Sequence, residues 1–165
     1  MTSSTAIPFA DRVAVVTGAG SGMGRATAVA LAEAGARVLG VGRRKEVLEE
    51  TARAHPGIAV LPLDIVEEGA AEEVVATAVE RWGRLDLLVN NAGSTAVMPL
   101  AETDRSVIGR LFELNVTAPS LLAHAALPHL RATSGSIVRT CRVRTATALF
   151  PEERTTPPPR APSNS

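Results

Sequence analysis

Thr17 to Gly24 read Thr-Gly-Ala-Gly-Ser-Gly-Met-Gly, directly behind the apolar run Val13-Ala14-Val15-Val16. Glycines at this spacing, after a strand and before a helix, suit anion binding. Gly18 and Gly22 let the backbone turn tightly and come close to phosphate oxygens. Gly24 lets the helix pack against the strand. The helix start offers unpaired N–H groups and a partial positive charge. With strand and helix both legible around it, the expected occupant of the turn is a dinucleotide pyrophosphate.

Further polar groups fall behind later apolar runs: Gly42-Arg43-Arg44-Lys45, then Asp64-Ile65, then Asn90-Asn91-Ala92-Gly93, then Asn115 between Leu114 and Val116. A site for NAD places Asp or Glu at the end of the second strand, to accept from the ribose 2′-OH. Here Gly42 stands there, followed by three cations, and arginine pairs with phosphate through two parallel bonds. The pattern favours a 2′-phosphate, hence NADP(H) over NAD(H). Plainer readings stand beside these. Arg43 to Lys45 also suit a solvated helix start. Asp64 suits a helix N-cap three residues before Glu67 as well as it suits an adenine contact. Asn90 and Asn91 suit a simple turn, and Asn115 a polar kink. His55, His124, His129 and Cys141 match no site, and no metal-ligand set is read.

The elements that would position these groups alternate. Strands are predicted over 13–16, 37–41, 58–63 and 85–89, with a fifth starting at 136–138. Helices are predicted over 22–34, 45–54, 67–82, 104–114 and 116–131. Such alternation makes right-handed βαβ units and a doubly wound, Rossmann-like parallel α/β sheet, with its ligand at the carboxyl ends of the strands. The 165 residues have room for one domain, and formal net charge is zero, which argues against a nucleic-acid partner. One cysteine fits a reducing compartment. No signal peptide or membrane-length apolar run is visible, so the expectation is a cytoplasmic protein.

In combination, the glycine turn, Asp64 and Asn90-Asn91-Ala92-Gly93 resemble the short-chain dehydrogenase/reductase family, over about Phe9 to Val138. The resemblance implies hydride transfer between a nicotinamide and a carbonyl or alcohol carbon, with a homo-oligomer as the intact form. Gly18, Ser21, Gly22, Met23 and Gly24 would line the pyrophosphate and ribose. Asp64 and Ile65 would hold the adenine edge. Asn91, Ala92 and Gly93 would brace the sheet and a ribose, and Asn115 would shape a proton-relay water site.

The family also uses a Ser, and a Tyr and Lys spaced Tyr-x-x-x-Lys, the Tyr as general acid/base. This chain has no Tyr, and no Lys after Lys45. It is expected to be inactive as written, a cofactor-binding fragment or pseudoenzyme being the alternative reading. Residues 1–138 read as a partial domain, incomplete at its C-terminal side. Residues 139–165 form a second segment with five Arg, five Pro and five Thr, expected to be disordered. Codon degeneracy offers an origin for it. One shifted frame permits Asn-Val-Ser-Ser from the Arg139/Thr140 junction onward. The same frame permits Tyr at Thr155/Thr156 and Lys at Pro159/Arg160.

Overall fold

The computed structural model describes residues 9–95, 99 and 102–140. Five parallel strands form one sheet in the order β3-β2-β1-β4-β5. They are β1 (Val13–Thr17), β2 (Arg37–Gly42), β3 (Ile58–Pro62), β4 (Leu87–Asn90) and β5 (Ser136–Arg139). The order reverses between β1 and β4, and that switch point opens a crevice at the carboxyl ends of the strands. The helices are α1 (Gly22–Glu33), α2 (Lys45–Arg53), α3 (Ala70–Trp82), α4 (Arg105–Phe112) and α5 (Ala118–Thr133). None of them is long and apolar enough to cross a membrane.

Strand periodicity sorts the core into two layers. Val13 and Val15 face α3 and α5, where Val74, Ala78, Leu122 and Leu130 are buried. Ala14 and Val16 face the other way, toward Ala28, Ala32 and Leu48. Small side chains on α1 bring that helix close under the glycine turn.

At the amino ends of the strands, the Asp86 carboxylate is buried in a clamp. It accepts from the Val13 N–H at 2.9 Å, from Arg12 at 2.8 Å and from Arg84 at 2.8 and 2.6 Å. Burial alone would raise its pKa. The bonds from Arg84, Val13 and Arg12 outweigh that and hold the carboxyl below its ordinary value.

Three expectations need correction. Helix α3 starts at Ala70, not 67, because Gly69 takes a left-handed conformation (φ 79°) and acts as its N-cap. Asp64 therefore does not cap that helix; its carbonyl oxygen instead accepts from the Glu67 N–H in a turn. The fourth strand runs 87–90 rather than 85–89, since Asp86 is drawn into the clamp. Helices α4 and α5 are joined through a π-turn at Glu113–Thr117 rather than by a break. Pro119 has no N–H to give the carbonyl four residues back, that of Asn115, so the helix widens there. Cys141 and the segment 141–165 lie outside the described residues.

Candidate active site

The carboxyl ends of β1, β2 and β4 border a cleft of about 580 Å³, lined by residues of the glycine turn, β2, β4 and the π-turn. That volume lies within the range of cofactor and ligand sites. Its floor is the turn after β1. Gly18 sits at φ +68°, and its N–H donates to the Val41 carbonyl at 2.8 Å, which ties the turn to the end of β2. A methyl group on Gly24 would run into the Gly18 carbonyl and the Asn91 amide. Helix α1 can therefore start this close to the sheet only with glycine there. Ser21, the N-cap of α1, has an extended backbone and no capping side-chain bond, so the first-turn N–H groups face the cleft without an internal acceptor.

Two threonines hold this floor. The Thr17 hydroxyl accepts from the Asn91 and Ala92 N–H groups, both at 3.0 Å. The Asn91 side chain donates back to the Thr17 carbonyl at 3.0 Å. From the other side, the Thr51 hydroxyl lies 3.0 Å from the Ala19 carbonyl and 3.1 Å from that of Val47, sharing its proton between them. Both threonines are fully buried. Neither threonine is among the site residues expected from the sequence. The available signal was a hydroxyl in an apolar strand and one on the apolar face of α2.

Of the expected site residues, Gly18, Ser21, Gly22, Met23, Arg43, Arg44, Asp64, Ile65, Asn91, Ala92, Gly93 and Asn115 all line the cleft. Gly24 does not; it packs beneath it. On the β2–β3 side, the Arg43 guanidinium lies 3.8 Å from the Asp64 carboxylate and its side chain is 74% exposed. Arg44 is the N-cap residue of α2 but makes no capping side-chain bond, and it is exposed at the cleft. On the other side, Asn115 and Ser94 exchange two hydrogen bonds. The Ser94 N–H donates to Asn115 Oδ1 at 3.1 Å, and Asn115 Nδ2 donates to the Ser94 carbonyl at 2.9 Å. Asn115 is thus a brace between the β4 loop and the π-turn, not merely a polar kink.

Arg139 and Thr140 also line the cleft. The Arg139 guanidinium donates to the Asn115 carbonyl, the acceptor left open by Pro119. The Thr140 hydroxyl donates to Asn91 Oδ1 at 3.1 Å. Among the described residues, no three His, Cys, Asp or Glu side chains cluster as metal ligands would. Chemically, the arrangement offers backbone donors for phosphate at the glycine turn, with an exposed cation and a carboxylate beside them.

Comparison with known proteins agrees with this geometry. A family model described as short chain dehydrogenase matches residues 12–150, extending past Val138. A protein named as granaticin polyketide synthase putative ketoacyl reductase 2, from Streptomyces violaceoruber, is 43% identical over 131 residues, covering 76% of this chain and 53% of that protein. A putative short-chain alcohol dehydrogenase from Sinorhizobium meliloti superposes with a TM-score of 0.76 at 35% identity, covering 82% of this chain and 56% of that one. A Caenorhabditis elegans short-chain dehydrogenase/reductase solved with cofactor superposes at 0.73 and 29% identity, covering 79% of this chain and 52% of that one. The chain thus spans about half the length of these relatives.

Proposed function

Since the chain belongs to the short-chain dehydrogenase family, we propose that it is the cofactor-binding half of an NADP(H)-dependent oxidoreductase and does not itself turn over. The observation that carries the second clause is the absence of tyrosine from all 165 residues. No phenol is present to pass a proton to or from a substrate oxygen. When bound, the nicotinamide would supply hydride chemistry toward a carbonyl or alcohol carbon. This chain's residues would hold the rest of the molecule. The first-turn N–H groups of α1, at Gly22 and Met23, would face the pyrophosphate, and Asp64 and Ile65 the adenine edge. Asn91, Ala92 and Gly93 would brace the sheet and a ribose of the cofactor.

The preference for a 2′-phosphate is supported by Gly42, which ends β2 without a carboxylate, and by the largely exposed Arg43 guanidinium. Fluorescence titration is expected to show NADPH binding at least about tenfold tighter than NADH, with Arg43→Ala abolishing most of that ratio, as a charge-assisted phosphate contact would. Equal affinity for both cofactors in the unsubstituted chain would overturn the preference. Oxidation of NADPH with any carbonyl substrate would overturn the claim of inactivity. An out-of-frame origin is proposed for the residues from about Arg139 onward, although the family match runs to residue 150. It concerns how the segment arose, not the contacts Arg139 and Thr140 make. The coding DNA decides it, since an Arg160 codon beginning CG cannot yield the Lys.

A further inference from the structure

The crevice divides at β1. One half, toward β2 and β3, keeps its polar groups open to a ligand. Ser21 has no capping bond, the first-turn N–H groups of α1 lack internal acceptors, and the mostly exposed Arg43 guanidinium makes only a 3.8 Å ion pair with Asp64. The other half, toward β4 and β5, has turned its polar groups on itself. Arg139 donates to the Asn115 carbonyl, Thr140 donates to Asn91 Oδ1, and Asn115 and Ser94 satisfy each other. One buried acceptor there, Oδ1 of the cleft-lining Asn90, has no partner among the described residues.

In a doubly wound sheet the pyrophosphate lies over the first turn and one ribose at the end of the second strand. The remainder of a dinucleotide must then cross β1 toward β4 and β5. There it meets groups that would have to give up internal bonds to contact it, an exchange with little net gain. An oxidised nicotinamide ring, being cationic, would also face the Arg139 guanidinium.

We infer that this cleft is an adenosine diphosphate site, binding its ligand through the adenosine half while residues 139 and 140 close the half that would take a nicotinamide nucleoside. The inference rests on the cofactor reading above. It assigns Arg139 as the residue that sets how much of the ligand is held.

Calorimetric titration of the full chain with two probes, NADPH and 2′-phosphoadenosine 5′-diphosphate, tests it. The expected result is affinities equal within about threefold, a difference under 1 kcal/mol by the usual conversion. Arg139→Ala is expected to tighten NADPH by about fivefold or more and leave the smaller probe unchanged. NADPH binding more than threefold tighter in the unsubstituted chain overturns the inference but leaves the cofactor reading standing. Binding of neither probe overturns both. An Arg139→Ala chain whose NADPH affinity does not rise overturns the role of Arg139. That residue sits at the exposed end of β5, where truncation leaves the core untouched.

Discussion

The two flanks of β1 are finished to different degrees. Toward β2 and β3, α1 and α2 close over the sheet, and Val38, Leu48 and Ile58 are buried beneath them. Toward β4 and β5, every residue of β5 is exposed, including Ile137 and Val138. On the same flank, Ile108, Phe112, Val116, Leu121 and Leu127 leave apolar surface on α4, the π-turn and α5 in water. The cleft straddles this divide. Its β2–β3 side stands on a packed layer, and its other side ends on β5, which is paired with β4 along one edge and has every residue exposed. The two sides of the cleft thus rest on parts of the fold that differ in how much packing holds them.

Matched truncations break or sharpen that contrast. Leu48 is fully buried under Gly42 and lines the cleft floor. Leu48→Ala is expected to lower stability by about 3 kcal/mol, read as a fall in the urea midpoint, since it removes a whole core side chain and leaves a cavity. Nucleotide affinity should fall with it, because the floor beneath Gly20 would slacken. A loss under about 1 kcal/mol would mean the sealed flank is no better packed than the open one.

The next effect lies at the opposite ends of the strands, where Asp86 ties both flanks together. Its N–H donates to the Val13 carbonyl of β1, and its own carbonyl accepts from the Ser136 N–H of β5. Asp86→Asn is expected to cost about 2 kcal/mol, since the buried side chain would lose charge-assisted bonds from Arg12 and Arg84. The pH dependence has a definite sign. The folded carboxyl has the lower pKa, so acid protonates the unfolded chain first. The clamp's contribution is complete above the unfolded value of about 3.9 and is lost as pH falls through the folded one. Urea midpoints measured from pH 6 to pH 3 should therefore fall more steeply for the unsubstituted chain than for Asp86→Asn.

What was legible in the sequence follows the same divide. Strand β1, the glycine turn and α1 were readable because period-2 apolar residues, positive-φ glycines and small helix residues all demand one local structure. The α3 boundary was misplaced because acidic residues at 67 and 68 resemble a first helical turn, while the left-handed Gly69 that starts the helix has no side chain to announce it. Pro119 is the sequence signal of the π-turn, and it is an ambiguous one. A proline near a helix start reads as an ordinary first-turn residue, and only the uninterrupted chain from α4 shows that its missing N–H frees the Asn115 carbonyl. The bonds from Arg139 and Thr140 were not legible at all. They follow from β5 pairing with β4 in register, Asn90 opposite Arg139, which no local pattern encodes.

The smallest stability effect is expected on the open flank, where it carries the most information about packing. Leu127 lies on α5 and is 39% exposed, against 0% for Leu48. Leu127→Ala is expected to cost under about 0.5 kcal/mol, because the side chain already contacts water in the folded state and alanine favours helix. Ile137→Lys on β5 is expected to change stability as little, yet to raise solubility, since a charge on an edge strand discourages pairing with a second chain. Sedimentation and soluble yield would read that gain. Should Leu127→Ala instead destabilise the chain as much as Leu48→Ala, the open flank must be covered in solution, and the contrast between the two flanks would not hold for the protein in water.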